Sequence, residues 1–168
     1  ALPYYTVDDG ADRWPLDPTQ WADGDSDNYG DNPTGTTPDA CPSVQGTSTV
    51  DRYGCLDTDT DGYSDPTVGW TAASNGADAF PNDDSQWVDS DGDGFGDNAA
   101  GTQGDACPSS NGNSTIDRFG CIDTDGDGRS NPGGTWTVAD GADAVPNNPT
   151  QHLDGDGDGY GDDPSGTF

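Results

Sequence analysis

The chain has 168 residues, 33 of them acidic and 4 basic, for a net charge of −29, and only 27% are hydrophobic. Ordinary soluble domains carry roughly 45–50% apolar residues, and ordering a backbone costs about 1–2 kcal/mol per residue, so a conventional hydrophobic core is excluded. By charge and hydropathy such a chain groups with disordered proteins, and either it is one of them or something other than apolar burial orders it.

The composition narrows the field further. Every acid is Asp and every base is Arg; the short Asp arm keeps its carboxylate close to the backbone in tight loops. Gly 26 and Pro 13 exclude long helices. No apolar run approaches the ~20 residues that span a bilayer, and no signal peptide is legible, so the chain reads as mature or as a fragment. Its negative field repels nucleic acid and anionic lipid and attracts cations.

In chain order, residues 1–9 read as an N-terminal docking segment that ends a truncated half-repeat, with "GAD" at 10–12. An acidic loop follows on Asp23, Asp25, Asp27 and Asp31 and leads to "DACP" at Asp39. Cys41 and Cys55 stand 14 apart and enclose "STVDR" (48–52), a candidate short strand. A second acidic loop, Asp57, Asp59, Asp61 and Asp65, runs through a spacer containing Trp70 to "GAD" at 76–78. The pattern then restarts: "DACPSVQGTSTVDRYGCLDTDTDGYSD" at 39–65 aligns without gaps on "DACPSSNGNSTIDRFGCIDTDGDGRSN" at 105–131, an offset of 66. The second round holds Asp89, Asp91, Asp93, Asp97 and Asp105, then Cys107 and Cys121, then Asp123, Asp125, Asp127 and Asn131, with "GAD" at 141–143. "STIDR" (114–118) and "TWTVA" (135–139) are further candidate strands, and the last loop carries Asp154, Asp156, Asp158 and Asp162. The units are 10–75, 76–140 and a partial third at 141–168.

Equal cysteine spacing suggests two bridges, each closing a turn-rich loop, although four cysteines allow three connectivities. Free or zinc-bound thiols are the alternative, with His152 the lone histidine in the chain. Disulfides imply an oxidising, extracellular setting. Aromatic residues recur in register (Trp14/Phe80, Trp21/Trp87, Tyr29/Phe95/Tyr160, Tyr53/Phe119, Trp70/Trp136) and read as small staples between loops, with a carbohydrate platform as the sharper alternative. His152 stands where Trp21 and Trp87 stand and reads as a packing substitution. Arg52 and Arg118 read as tethers across acidic turns.

With the first Asp of each loop at position 1, oxygens recur at positions 1, 3, 5 and 9 in all five loops. Such spacing converges oxygens on one point, and a hard cation taking six to eight oxygens fits it, with a backbone carbonyl available at position 7. Calcium is preferred: magnesium seldom uses an all-protein cage, and transition metals call for imidazole or thiolate. Gly at position 6, or Asn28 in the first loop, permits the turn. An EF-hand is excluded, because position 12 holds Thr34, Val68, Ala100, Gly134 or Ser165 instead of Glu.

Alternating-Asp loops followed by "DACP", with "YGCLDTDTDG" or "FGCIDTDGDG" leading into the next loop, resemble the thrombospondin type 3 repeats and their relatives in microbial surface proteins. The resemblance covers roughly residues 9–168. It implies calcium ions strung along the chain in place of a core, and a further Asp closing each site. Those closing residues are Asp39, Asp105, Asp78 and Asp143, with Asp12 matching the last two. The spacing departs from the family: the closing Asp lies 8 residues beyond position 9 in first halves and 13 or 12 beyond in second halves. The expected fold has little regular secondary structure: an elongated, calcium-stabilised, disulfide-stapled repeat of Asp-rich loops with a few short β-strands. Five loops imply at least five ions, and about ten at two per loop.

No nucleophile, base and acid constellation is legible, so an enzyme is not expected. Asn113-Ser114-Thr115 is a glycosylation sequon, and the Thr/Ser/Pro spacers are compatible with O-glycans. The expected function is a structural extracellular repeat protein, a subunit of a filament, stalk or layer assembled head-to-tail, with "YYTVDDGAD" of one copy docking on the last loop of the next. The alternatives are a calcium-dependent adhesin or glycan-binding module, and a fragment of a longer repeat chain.

Overall fold

The computed structural model describes residue 6 and residues 10–167, and it separates into two compact units, Ala1–Trp87 and Val88–Phe168. Apart from Thr6, the proposed docking segment lies outside the described residues, Asp8 and Asp9 included. Regular structure among the described residues is limited to one turn of helix, α1 (Ala72–Asn75), a 3-10 turn at Val138–Asp140, and isolated bridges Gly30–Pro38, Thr67–Trp70 and Gly133–Trp136. Among the described residues no helix is long and apolar enough to cross a membrane.

None of the three expected strands forms, and local hydrogen bonding explains why. Thr49 and Val50 both donate their N–H groups to the single carbonyl of Gly62, each at 2.9 Å, and Thr115 and Ile116 do the same to Gly128 at 2.8 and 2.9 Å. A strand ladder needs alternating donors and acceptors along one edge, so two consecutive donors on one oxygen end it. At 135–139, Trp136 turns back on Gly133, and Thr137 caps the 3-10 turn through the Asp140 carboxylate. The β-branched residues that suggested strands serve turns instead.

The interior is polar. Buried hydrophobic residues are Cys55, Ala77, Cys121 and Ala142, whereas the largest fully buried side chains are Gln86, Gln151, Asp78, Asp143 and four serines. Hydrogen bonds replace apolar contact. Gln20, 3% exposed, accepts from the Asn32 N–H at 3.1 Å and donates to the carbonyls of Asn32 and Thr36 at 3.1 and 3.2 Å, pinning the segment after the first loop. Gln151 accepts from the Asp163 N–H at 2.8 Å in the corresponding place.

Cys41 bonds Cys55 and Cys107 bonds Cys121, each pair with a Cα–Cα distance of 5.1 Å, so no cysteine is left for zinc. A loop of this length contributes ~3 kcal/mol in the chain-entropy account. Inside each loop a fully buried serine, Ser48 or Ser114, donates to the carbonyl of Arg52 or Arg118 and accepts the N–H of Cys55 or Cys121. Rings pair as staples: Tyr29 with Tyr53 at 5.7 Å, Phe95 with Phe119 at 5.8 Å, and Tyr63 stacked on Trp87 at 5.5 Å.

Arg52 and Arg118 tether separate segments, but not through carboxylates. Only their backbone N–H groups meet the preceding aspartates, at 2.7 Å. The guanidinium of Arg52 lies over the Trp70 ring at 5.0 Å and donates to the Ala40 carbonyl at 3.2 Å; Arg118 does likewise with Trp136 at 5.3 Å and Ala106 at 3.0 Å. An aromatic face stabilises a cation by about 0.5–2 kcal/mol, and in both cases it is preferred to the crowded carboxylates, whose oxygens already accept N–H groups.

Candidate metal centres

Each acidic loop closes on itself through one backbone bond. The N–H of position 9 donates to the carbonyl of the residue before position 1: Asp31 to Ala22, Asp65 to Leu56, Asp97 to Val88, Asn131 to Ile122 and Asp162 to Leu153, all at 2.7–2.9 Å. Within that ring, position 1 accepts from the N–H groups of positions 4 and 6 with its two oxygens. Asp57 takes Thr60 and Gly62 at 2.7 and 3.1 Å, and Asp89 takes Gly92 and Gly94 at 2.7 and 3.0 Å. Both donors need left-handed backbone. Position 6 was legible as Gly, but position 4 is left-handed too, at φ 70° for Ser26 and 69° for Thr60 as well as at Gly92, Gly126 and Gly157.

Position 5 accepts from the N–H of position 7 in every loop, for example Tyr63 to Asp61 at 2.8 Å. These turns converge the carboxylates. Asp23, Asp25 and Asp27; Asp57, Asp59 and Asp61; Asp89, Asp91 and Asp93; Asp123, Asp125 and Asp127; and Asp154, Asp156 and Asp158 form five triplets, each offering one oxygen within 4.8 Å of the others. Such triplets can hold metal ions.

Position 9 is not in the triplets and acts as a clasp. Asp65 accepts both the N–H and the hydroxyl of Thr58 at 3.0 and 2.6 Å, and Asp97 accepts the same pair from Ser90. Asp31 and Asp162 take the N–H of Gly24 and Gly155. Asn131 accepts the Thr124 N–H at 3.1 Å and donates to its hydroxyl at 2.5 Å, which explains why an amide serves there.

The closing aspartates arrive in one register despite their unequal spacing. Each donates its N–H to the carbonyl of position 8: Asp39 to Gly30, Asp78 to Ser64, Asp105 to Gly96 and Asp143 to Ser130, at 2.8–3.0 Å. The extra residues of second halves are taken up by the tight turns at Thr67–Trp70 and Gly133–Trp136, by α1 and by the 3-10 turn. All four are at most 5% exposed. Their Oδ1 atoms accept the N–H two residues on, and their Oδ2 atoms are buried with no hydrogen-bond partner. Oxygens of Asp25, Asp59, Asp61, Asp91 and Asp125 are stranded in the same way. Asp12 makes the same turn with the Trp14 N–H at 2.8 Å but is exposed.

Unpaired buried carboxylate oxygens are costly, and the chain responds electrostatically. Burial, aggravated by Asp27, Asp25 and Asp31, raises the carboxyl of Asp39 to about 6. Burial, aggravated by Asp61, Asp59 and Asp65, raises that of Asp78 to about 7. Asp105 and Asp143 are raised for the same reasons. An all-oxygen set with stranded, desolvated charge fits a hard cation, because a bound cation reverses this local logic.

Several contributors carry no metal-ligand pattern in the sequence. Gly54, at φ 74°, lets the disulfide loop pass over the first site: a Cβ there would lie 2.5 Å from Asp39 Oδ1 and 2.7 Å from Asp27 Oδ2. Gly120 does the same beside Asp105 and Asp93. The disulfide loops also donate directly, from the N–H of Gly46 to Asp27 Oδ2 at 3.3 Å and of Gly112 to Asp93 Oδ2 at 3.0 Å. Arg13 pairs with Asp23 at 3.0 Å and donates to Asn28 at 2.9 Å, bracing the first loop.

Asp51 is the anchor of the second loop. Its carboxylate accepts the N–H and hydroxyl of fully buried Ser64 at 2.8 and 2.6 Å, the Arg52 N–H at 2.7 Å and the Trp70 indole at 3.3 Å. Burial opposes its ionisation, but the Ser64 hydroxyl and these N–H donors hold its carboxyl below the usual range. Ser64 in turn presents the carbonyl that receives Asp78. Asp117 repeats the contacts to Ser130, both at 2.9 Å, and to the Arg118 N–H at 2.7 Å, but not the one to the indole. Each donor left unpaired in the interior costs ~1–3 kcal/mol. Asp51→Ala is therefore expected to destabilise its unit by about 3 kcal/mol or more, with Asp51→Asn milder. Denaturation of both variants checks this, and a loss under 1 kcal/mol for alanine would reject the anchor role.

The last loop has no closing Asp within the chain. Asp163 does not turn into its triplet; its Oδ2 accepts the His152 N–H at 2.7 Å and lies 3.0 Å from His152 Nδ1, and these donors lower its carboxyl. Asn113 is exposed and stands outside all five triplets.

No family model matches this chain, and no curated protein matches it. The chemistry of the loops is therefore the ground for a functional reading.

Proposed function

We propose that this chain is an extracellular structural protein in which calcium takes the place of a hydrophobic core. The observation that carries the reading is the set of buried carboxylate oxygens without partners, repeated at Asp39, Asp78, Asp105 and Asp143 beside triplets of further carboxylates. In each of these sites the closing Asp, with positions 1, 3 and 5, would hold the ion. The resemblance to thrombospondin type 3 repeats supports calcium over other cations, and the oxygen-only donor set agrees with it. Five loops take at least five ions, and two per loop gives about ten. Two disulfides fit an oxidising location.

A structural role is favoured over sugar binding by what the rings do. Trp70 and Trp136 are covered by Arg52 and Arg118, and Tyr29, Tyr53, Phe95 and Phe119 face one another in pairs.

If the metal's binding free energy is folding free energy, excess chelator under non-reducing conditions should abolish protease resistance and expand the chain while both disulfides persist. Limited proteolysis and small-angle scattering check this. Unchanged size and protection after verified removal of calcium would overturn the reading.

A further inference from the structure

The sequence holds three Asn-x-Thr tripeptides, and the structure separates one from the other two. Asn32-Pro33-Thr34 and Asn148-Pro149-Thr150 carry proline in the middle, which bars N-glycosylation. Their amide nitrogens are also engaged: Asn32 Nδ2 donates to the Thr19 carbonyl at 2.8 Å, and Asn148 Nδ2 to the Thr167 carbonyl at 2.6 Å. In both, the threonine N–H and hydroxyl turn back on the Asn oxygen. These are structural turns.

Asn113-Ser114-Thr115 has the opposite character. Asn113 and Thr115 are exposed, while Ser114 between them is fully buried and holds the disulfide loop. The backbone is fixed by the N–H groups of Asn113 and Ser114 on the Cys121 carbonyl at 3.0 Å and of Thr115 on Gly128 at 2.8 Å. Asn113 uses only its Oδ1, which accepts the Asp123 N–H at 3.3 Å. Among the described residues no group takes its Nδ2. An amide substituted at nitrogen keeps its carbonyl oxygen, so a glycan on Nδ2 leaves that bond intact.

We propose that Asn113 carries an N-linked glycan, mounted on the rigid disulfide loop beside the fourth acidic loop. The transfer joins Asn113 Nδ2 to the anomeric carbon of an oligosaccharide supplied as a lipid-linked pyrophosphate ester by an external transferase. The sugar–pyrophosphate bond breaks, the lipid pyrophosphate leaves, and Nδ2 gives up one proton to the transferase base; nothing is oxidised or reduced. The corresponding residue in the first repeat is Thr47, whose hydroxyl donates to the Asp57 carbonyl at 3.3 Å, so the glycan marks only one of the two disulfide loops.

Peptide mass spectrometry of the native protein tests this. The Asn113 peptide should carry hexose-containing mass that an N-glycan amidase removes, converting Asn113 to Asp, while the Asn32 and Asn148 peptides stay unmodified. In the native host, Thr115→Ala should abolish the modification and Thr115→Ser should retain it, both leaving the calcium-dependent protease resistance in place. An unmodified Asn113 peptide in native material overturns the proposal, as does amidase-sensitive sugar that survives Thr115→Ala.

Discussion

Replacing Asp78 with Asn is expected to weaken calcium binding at the second loop by tenfold or more, and at the same time to stabilise the calcium-free chain. Asp78 is 1% exposed, its Oδ1 holds the Phe80 N–H at 2.7 Å, and its Oδ2 has no partner. Asn keeps the acceptor for Phe80 and removes a charge buried beside Asp61, Asp59 and Asp65. With the folded carboxyl raised from 3.8 to about 7, ionising it near pH 8 without a cation costs about 4 kcal/mol, and the amide escapes that cost. A bound ion loses an anionic ligand, and each factor of ten in affinity is about 1.4 kcal/mol. The two effects have opposite signs, which separates ligation from a packing role. Calcium titration and denaturation with chelator read them independently. An Asn variant less stable in both conditions makes Asp78 a packing residue, and unchanged affinity removes it from the site.

Different parts of the molecule were legible in the sequence to different degrees, for physical reasons. Carboxylates at positions 1, 3 and 5 could be read because a tight turn places alternate side chains on one point, and the five triplets follow that count. The absence of a core followed from composition, and a buried set of Gln, Ser and Asp is its structural counterpart. Position 9 supplies a further oxygen in the sequence pattern, and its side chain also clasps position 2 at Thr58, Ser90 and Thr124, a contact the pattern does not announce. Left-handed backbone at Ser26 and Thr60 was hidden because neither residue is glycine. "STVDR" looked like a strand because β-branched residues favour one, but Thr49 and Val50 share the Gly62 carbonyl. Asp51 enters the sequence pattern only as one letter of "STVDR"; its partner Ser64 is 13 residues away, beyond any local pattern. The recurring Gln of "PTQW", "DSQW" and "PTQH" was a readable signal, since an amide kept in register in each repeat has hydrogen bonds to satisfy on both sides.

Stability should rise as pH falls in the calcium-free fold and stay nearly level with calcium bound. In the calcium-free fold, burial raises the carboxyls of Asp39 to about 6 and Asp78 to about 7 from 3.8, and raises those of Asp105 and Asp143 as well. The folded state then holds more protons than the unfolded chain between those values. The contribution of these groups is therefore fully present below the unfolded value and is lost as pH rises through about 6 for Asp39 and about 7 for Asp78. Calcium requires the same groups ionised, so each closing carboxyl must release its proton to the solvent on binding. As pH falls below about 7, affinity at the second loop should drop by up to about tenfold per unit, and the first loop should follow below about 6. Melting curves from about pH 8 to pH 5 should rise with chelator and stay level with saturating calcium, because the calcium-bound fold and the unfolded chain both keep these carboxyls ionised. Calorimetric titrations in buffers of different ionisation enthalpy should detect protons released near neutral pH and none near pH 9. Calcium affinity that stays flat between about pH 8 and pH 5 would mean that the closing carboxylates never meet the ion, leaving positions 1, 3 and 5 to hold it alone.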